Sequence, residues 1–538
     1  MLATVPGFTA FARWRLACVL AILCALTPAW ALDAAQARAI AVGDGDARIA
    51  ALQDAVTRAD PGLATFAQAL LDDSVKTTAT GVFVVRDDQA VDAVTGKPAK
   101  LPDDAEDVSN NNRMRGALET ALSGLRLLSP DLATRRKAVD DLSKSAADPA
   151  LLPVIAKAMA AETDPGLKSA FGRLKAAAQI AAPDRAQRMQ AIDALSHSDE
   201  PAVRALLQSR LAPDGEADPE LRTSISQALV QVDGRLAWGE RLGVLFTGIS
   251  LGSILLLVAL GLAITYGLMG VINMAHGELM MIGAYTTWMV QNLFRHFAPA
   301  WFDAYVVFAI PASFIVSACV GALLERGVIR FLYGRPLETL LATWGISLVL
   351  MQLVRSMFGA QNVEVENPSW MSGGIAVTSN LVLPYNRLAI IAFAAIVLGG
   401  TALLIGRTRL GLFVRGVTQN RRMASCTGIN TVRIDTLAFA LGAGIAGLAG
   451  CALSQVGNVG PDLGQSYIVD AFMVVVLGGV GQLAGTVLAA IGLGLMNKVL
   501  EGVAGAVLAK IFVLIFIVVF IQKRPQGLFA LKGRSAES

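Results

Sequence analysis

The stretch VINMAHGELMMIGAY, residues 271–285, places an amide, an imidazole and a carboxylate within six positions of an otherwise apolar segment. These groups belong to Asn273, His276 and Glu278. Burying an unpaired polar group at membrane depth is costly, and burying a charge costs more. We therefore expect the three side chains to face the protein interior or a watery path. There they would contact a substrate, brace neighbouring helices or relay a proton, unless they form a short turn at the membrane surface.

The same cluster lacks the groups that other chemistry requires. One carboxylate with one histidine and no third ligand does not make a metal site, and no nucleophile stands beside a base. The sequence contains no G-x-x-x-x-G-K-[ST] phosphate loop, so the usual means of hydrolysing ATP is missing. We therefore expect no catalytic residue, no metal and no cofactor.

Glycines interrupt the apolar sequence around this cluster and again in LGGVGQLAG, residues 477–485. A helix broken at membrane depth frees backbone groups, which must face protein or a polar pathway. Matching broken helices in two halves of a membrane domain are typical of transporters. We expect Tyr266 and Gln482 to line the same pathway as the polar cluster. The glycines assigned to the breaks are Gly270, Gly277, Gly478, Gly479, Gly481 and Gly485.

Composition separates the chain into two unlike parts. The hydrophobic fraction is 54% and the mean hydropathy is +0.56, yet 30 of the 42 Asp and Glu residues precede Glu240. The sequence therefore predicts a polar domain at 32–235 and a membrane domain at 236–538. The net charge is only +3, and the basic residues of the second part fall in separate clusters between apolar runs, which excludes a nucleic-acid partner.

A leader precedes the polar domain. Arg13 and Arg15 stand before the apolar core LACVLAILCAL, and Ala29-Trp30-Ala31 follows it. This pattern predicts a signal peptide at residues 1–31 and an exported domain after it. The alternative is an uncleaved first membrane helix, which the short apolar core disfavours.

The exported domain is predicted to be mostly helical, with one strand in GVFVV at 81–85. KAVDDLSKSAADPALLPVIAKAM, which starts at Lys137, resembles QAIDALSHSDEPAVRALLQSRL, which starts at Gln190, at an offset of roughly 53 residues. Such a period indicates a HEAT-like stack of helix pairs and therefore a docking or scaffold surface. His197 is interpreted as a solvated side chain.

The membrane domain contains eight apolar runs. Arginine-rich loops at 326–335 and 407–433 indicate the cytoplasmic side, whereas the segment 358–386 has two glutamates. Starting outside and ending inside requires an odd number of crossings, so the longest run is split at its glycines. The predicted fold is an all-α polytopic membrane protein with about eight to nine transmembrane segments and broken helices. The runs are 242–266, 279–293, 304–324, 340–358, 388–405, 437–456, 467–500 and 506–521.

Three motifs resemble a known family. TYGLMGVINMAHGELMMIGAY, VVVLGGVGQLAGTVLAAIGLG and the terminal KRPQGLF are similar to the branched-chain amino acid type permeases of ABC importers, and the likeness covers residues 240–535. Within that family, the long exported domain, the wording NMAHGELMMIGAY and the ending RPQGLFALKGR most resemble the permeases for urea. The resemblance implies a bacterial inner-membrane transport subunit that is not itself an enzyme, with a periplasmic front domain and a cytoplasmic C-terminus.

The resemblance also implies partners: a second permease subunit, two ABC ATPase subunits, a periplasmic solute-binding protein and the lipid bilayer. A short cytoplasmic coupling helix would dock on the ATPase, although Gly416 departs from the alanine of the family pattern. Branched-chain amino acids or short amides stay open as substrates, as do a proton-coupled carrier, a passive channel and, least of all, a membrane anchor for a scaffold. The residues that match the coupling pattern are Arg415, Asn420, Ala424, Gly428, Ile429 and Asn430.

Overall fold

The structure, a computed structural model, describes residues 33–529 except 59–61, 79–80, 87–88, 103 and 145–148. The chain divides into two compact units, Met1–Ala237 and Trp238–Ser538, which are called the front unit and the membrane unit below. The boundary falls inside one long helix, Pro219–Met269. The predicted signal peptide, 1–31, lies outside the described residues, as do residues 530–538.

The front unit is built mainly from helices, as its helical periodicity predicts. Its buried side chains form two apolar clusters, one within residues 37–178 and the other within residues 176–236. The helices are α1 (Ala34–Ala41), α2 (Gly45–Arg58), α3 (Leu63–Leu71), α4 (Asn112–Arg126), α5 (Leu132–Lys144), α6 (Leu152–Ala161), α7 (Pro165–Gln179), α8 (Arg185–Ser196), α9 (Pro201–Leu211) and α10 (Pro219–Met269), the last of which continues into the membrane unit.

The front unit also contains more sheet than the sequence predicts. The expected strand at 81–85 is present as β2 (Val82–Arg86), but it belongs to an antiparallel sheet of order β3-β2-β1-β4 among the described residues. The other strands are β1 (Val75–Thr77), β3 (Gln89–Asp92) and β4 (Glu106–Asp107). They are short and mostly polar, so pairing within the sheet rather than local apolar alternation stabilises them: β1 and β3 pair with β2, and β4 pairs with β1.

The sequence repeat of the front unit corresponds to a repeated side-chain arrangement. Arg135 on α5 pairs with Glu162 through Nε and Oε2 at 2.8 Å, and Arg188 on α8 pairs with Glu216 through the same atoms at 3.0 Å. Each arginine also donates to two consecutive backbone carbonyls just before its own helix. Arg135, together with backbone N–H groups that Glu162 accepts from, lowers the pKa of this carboxyl to about 2. The similarity at an offset of about 53 residues therefore extends to how each helix pair is joined.

The membrane unit contains nine apolar helices among the described residues, together with a short hairpin and two helices in the arginine-rich segment. The helices are the second part of α10, then α11 (His276–Phe297), α12 (Tyr305–Gly327), α13 (Pro336–Phe358), α14 (Tyr385–Arg407), α15 (Arg409–Gln419), α16 (Arg421–Cys426), α17 (Thr431–Ser454), α18 (Leu463–Gly478), α19 (Leu483–Ala504) and α20 (Ala506–Lys523). The hairpin pairs β5 (Gly374–Thr378) with β6 (Leu381–Pro384).

Seven helices in the described part of the chain are long and apolar enough to cross a membrane: those within Pro219–Gly267, Pro299–Phe331, Leu337–Phe358, Tyr385–Arg407, Thr431–Ser454, Leu483–Ala504 and Ala506–Lys523. The shorter α18 is apolar, and α11 has 22 residues; that these two also cross the membrane stays a prediction. The polytopic all-α fold is confirmed. The split that the crossing count required is present, because α18 ends at Gly478 and α19 begins at Leu483.

Helices α11, α12 and α17 pack closely against one another, because glycines lie where their backbones meet. A Cβ atom on Gly283 of α11 would lie 2.2 Å from the carbonyl oxygen of Gly447 on α17, and one on Gly450 would lie 1.9 Å from that of Met280. A Cβ on Gly321 of α12 would lie 2.3 Å from the Cβ of Ala443 on α17. Small residues at these positions bring the backbones together, which is how helices associate without a hydrophobic driving force in lipid.

Candidate functional site

The first break separates α10 from α11. Gly270 has a φ of 65°, a left-handed conformation that favours glycine, and residues 270–275 are not helical. Asn273 stabilises the return to helix, because its Oδ1 accepts a hydrogen bond from the backbone N–H of Ala275 at 3.1 Å. The helix resumes at His276. The predicted polar cluster thus lies at the start of a broken helix and is buried.

His276 braces this break against α10. Its ring is fully buried, and Nε2 lies 3.2 Å from the carbonyl oxygen of Val258. Since a carbonyl only accepts, Nε2 carries the proton of this hydrogen bond. Gly261 makes room for the ring, because a Cβ there would lie 2.9 Å from Cε1. His276 therefore contributes to the position of the break, and Nδ1 has no hydrogen-bond partner among the described residues.

Glu278 lies two residues after His276 in the first turn of α11. Its Oε1 accepts a hydrogen bond from Ser347 of α13 at 2.9 Å, whereas Oε2 is buried and has no partner among the described residues. The start of α18 closes the other side, since a Cβ on Gly464 would lie 2.9 Å from the Glu278 carboxyl carbon. The backbone of Gly277 also packs directly against the backbone of Gly464. Three helices therefore surround a carboxylate with one unused acceptor atom.

Helix α13 supplies hydroxyl groups that the sequence analysis missed. Thr343 accepts from the backbone N–H of Met274 at 3.2 Å and lies 3.3 Å from the carbonyl of Ile272, so it holds the non-helical segment on both sides of Asn273. Thr343 and Ser347 are both buried. Hydroxyl residues recur every four positions on this helix from Thr339 to Ser347, and this spacing was a readable signal for a polar face.

The second break lies at residues 479–482. Backbone from other segments packs against it, whereas polar side chains surround the first break. Gly479 and Gly481 have φ values of 96° and 79°. The C-terminal motif packs on this break, because the N–H of Leu528 donates to the carbonyl of Leu477 at 2.8 Å and Gly527 lies against Gly479. On another side, a Cβ on Gly267 of α10 would lie 2.7 Å from the Cα of Gly481. Two motifs that are distant in sequence therefore meet here.

Two predicted pathway residues do not join the polar cluster. Tyr266 packs edge-on against Phe472 of α18, with ring centroids 6.5 Å apart. Gln482 is partly exposed before α19 and gives its helix no side-chain cap. No side-chain hydrogen bond connects either residue to Asn273 or Glu278 in the part of the chain that the structure describes. The contacts of the cluster are made instead by Thr343 and Ser347.

Comparison with known proteins decides the family. The family described as the permease component of the branched-chain amino acid transport system matches residues 244–521, more than half of the chain. The chain belongs to this family. The match begins after residue 243, so the front unit lies outside it.

Individual relatives of this permease agree with the family match. The high-affinity branched-chain amino acid transport system permease protein BraD of Pseudomonas aeruginosa is 30% identical over 290 residues, which cover 53% of this chain and 94% of the relative. LivH of Salmonella typhimurium, with the same description, is 30% identical over 273 residues, 49% of this chain and 86% of the relative. The ribose import permease protein RbsC of Escherichia coli matches 102 residues at 30% identity, 18% of this chain and 32% of the relative. No solved structure matches the chain.

The segment predicted to couple to an ATPase forms two short helices in this permease, α15 and α16. Asn420 caps α16 by accepting from the N–H of Met423 at 3.0 Å, and Asn430 caps α17 by accepting from that of Arg433 at 3.1 Å. Gly428, with a φ of 85°, ends α16. Arg415 is exposed, Ala424 is buried, and Ile429 is partly buried against the apolar core. Gly416 lies inside α15 in open space, so this departure from the family pattern leaves the helix intact.

Proposed function

We propose that this permease forms part of the translocation pathway of an ABC importer and that urea is its substrate. The observation that carries the proposal is the buried cluster at the first break. Among the described residues, the donor Nδ2 of Asn273 and the acceptor Oε2 of Glu278 have no hydrogen-bond partner. Urea has one carbonyl acceptor and two NH₂ donors and carries no charge, so a pathway for it requires both kinds of partner and no fixed counter-charge for a carboxylate.

Charge at the cluster distinguishes urea from an amino acid. A zwitterion requires a cation for its carboxylate as well as an anion for its ammonium group. Glu278 would serve only the second need, and Ser347, the side chain that hydrogen-bonds to it, is neutral. The names of the relatives favour branched-chain amino acids, which are the second candidate. The long front unit and the motifs NMAHGELMMIGAY and RPQGLFALKGR, which resemble those of urea permeases, favour urea.

Energy and delivery would come from other subunits. Because the chain has no phosphate loop, two separate ATPase subunits would hydrolyse ATP, a second permease subunit would complete the pathway, and a periplasmic solute-binding protein would bring urea. In the bacterial inner membrane the front unit would be periplasmic, offering a docking surface, and the C-terminus would be cytoplasmic. The segment that contains Arg415, Asn420, Ala424 and residues 428–430 would then dock on an ATPase.

Uptake in cells tests the substrate and the energy source together. Labelled urea and labelled leucine are offered to nitrogen-starved cells with and without this gene, and in parallel with the partner ATPase disabled. We expect urea uptake to be lost in both mutants while leucine uptake is unaffected. Loss of leucine uptake instead would move the assignment to amino acids, and urea uptake that survives without the ATPase would leave a carrier or a passive channel.

A glycine pair tests the coupling segment. Gly428→Val places a branched side chain at a φ of 85°, so we expect α16 to be displaced and ATP-linked uptake to be lost. Gly416→Ala is the matched control, because this glycine is helical and its Cβ would meet open space. Equal uptake by the two variants would contradict the role of the segment in coupling.

A further inference from the structure

A buried carboxylate joins two helices of the tightly packed core of the membrane unit. Glu325, near the end of α12, is completely buried. One of its oxygens accepts from the hydroxyl of Tyr333 at 2.8 Å, and the other accepts from the hydroxyl of Thr436 on α17 at 2.6 Å. Both oxygens are therefore engaged, and the end of α12 is bound to the first turns of α17 and to the loop before α13.

Arg421, the first residue of α16, connects the coupling segment to this arrangement. Its guanidinium pairs with Asp435 on α17 and lies over the ring of Tyr333, with 5.2 Å between the guanidinium carbon and the ring centroid. The Arg421 side chain is 45% exposed, whereas that of Asp435 is 1% exposed. One side chain at the surface thus contacts both a buried carboxylate and the ring whose hydroxyl binds Glu325.

These contacts cannot be exchanged easily for water. The second oxygen of Asp435 has no hydrogen-bond partner among the described residues, so Arg421 is the partner that compensates this buried carboxylate. Removing one member of such a pair leaves a buried charge uncompensated. A displacement of α16 therefore has to carry Asp435 and Tyr333 with it, or break a pair whose loss is costly.

Packed helix backbones connect Glu325 and its partners to the polar cluster at the first break. Helix α12 meets α17 at Gly321, and α17 meets α11, which carries Glu278, at Gly283 and Gly447. Closely packed interiors transmit strain because few voids can absorb it. A chain of contacts therefore runs from α16 to the helix that carries the candidate substrate site, and such chains are how two distant sites become energetically coupled.

We infer that Arg421 is a positioning residue that transmits ATP-driven movement of the coupling segment to helices α12 and α17, through Asp435 and the Tyr333–Glu325–Thr436 hydrogen bonds. The inference rests on the proposed function, since it assumes that an ATPase acts on α16. It adds a residue outside the set that the family resemblance assigned to coupling. A coupling of the usual strength corresponds to a change of about 5- to 150-fold in the coupled process.

The test uses the complete complex in lipid vesicles, with the second permease subunit, the ATPases and the solute-binding protein. Two quantities are measured, ATP hydrolysis stimulated by the urea-loaded binding protein and labelled urea transported per ATP hydrolysed. Arg421→Ala is expected to assemble and to hydrolyse ATP, but to lower the transport ratio about ten-fold. Arg421→Lys, which keeps the charge opposite Asp435 and loses the planar contact with Tyr333, should restore part of the ratio.

Arg330→Ala is the matched control, because Arg330 also lies over an aromatic ring, Phe331 at 5.3 Å, but that ring is exposed. It should leave the ratio unchanged. Tyr333→Phe removes only the hydroxyl that binds Glu325, so it decides the question if Arg421→Ala does not assemble. The inference is overturned if Arg421→Ala transports urea per ATP hydrolysed within about two-fold of the unmodified complex. If Arg421→Ala does not assemble, the same result in Tyr333→Phe overturns it.

The substrate proposal fails separately. If the unmodified complex moves labelled leucine and no urea, the proposed substrate is wrong, and the same variants are scored by leucine transported per ATP. If the unmodified complex moves urea at the same rate without ATP, the proposed mechanism fails, and the inference about Arg421 fails with it. Only a change confined to the variants bears on Arg421 alone.

Discussion

The two broken segments of the membrane unit look alike in sequence and differ in structure. Both are glycine-rich interruptions of apolar sequence. In the first, residues 270–275, Nδ2 of Asn273 has no hydrogen-bond partner among the described residues, and neither has Oε2 of Glu278 just after the break. The second, residues 479–482, is packed by backbone from Gly267 and Leu528. Glycines in an apolar run therefore locate a break, and only the neighbouring residues distinguish a polar site from a packed junction.

The largest effect is expected at the packed junction. Gly485→Ala would place a Cβ atom 1.8 Å from the carbonyl oxygen of Gly478, and backbone cannot move aside as a flexible side chain would. We expect at least about 3 kcal/mol of destabilisation and the loss of monodisperse protein from membrane extracts. Gly492→Ala on the same helix is the control, because its Cβ would meet open space. Normal yield of the Gly485 variant would contradict the packing at this break.

The next effect separates function from folding at the first break. Glu278→Gln keeps an acceptor for Ser347 and can replace the unused acceptor with an NH₂ donor. The NH₂ group of the glutamine would then face an NH₂ group of urea, and neither can accept a hydrogen bond from the other. We therefore expect urea uptake to fall about 10- to 100-fold while the yield of folded protein is retained. Glu501→Gln, at a partly exposed ion pair with Lys498, should leave uptake unchanged. Unaltered uptake in the Glu278 variant would remove this carboxylate from the pathway.

A smaller effect is expected from the hydroxyl that holds the first break. Thr343→Val keeps the shape of the side chain but removes the acceptor for the Met274 N–H, so we expect a loss of about 1–3 kcal/mol and a partial loss of urea uptake. Thr339→Val provides the comparison one turn earlier, because the Thr339 hydroxyl donates only to carbonyls of Leu332 and Arg335. Thermal unfolding in detergent would measure both. Equal losses would mean that Thr343 has no special relation to the break.

The smallest effect is expected at Gly270 of the first break, where an added Cβ atom would meet open space. Gly270→Ala adds only backbone strain at a φ of 65°, since its Cβ would contact nothing within 4 Å, and the cost should be about 1–2 kcal/mol. Gly479→Ala has a comparable φ, but its Cβ would lie 2.4 Å from the carbonyl of Phe529. The Gly479 variant should therefore be the less stable of the two in the same unfolding measurement. Equal losses of stability would show that the two breaks are packed alike, and the reverse order would contradict the open space at Gly270.

Local pattern and crossing parity predicted the polytopic helical fold and the split between α18 and α19. What they missed depends on contacts between distant residues. The strands β1, β3 and β4 are too short and polar to be read locally, and the polar face formed by Thr343 and Ser347 acquires meaning only beside Asn273 and Glu278. That Tyr266 and Gln482 line the pathway stays a prediction, and Tyr266 packs against Phe472.

The hydrogen bond between Leu528 and Leu477 constrains the order in which the protein can mature. The two residues are separated by the second break, all of α19 and all of α20, so the second break is synthesised long before the segment that packs on it. Until residue 528 has left the ribosome, the carbonyl of Leu477 lacks its described partner, and the glycine junction presents bare backbone to chaperones and membrane proteases. A fusion attached close after Phe529 would therefore interfere with biogenesis, whereas the same fusion behind a flexible spacer would not.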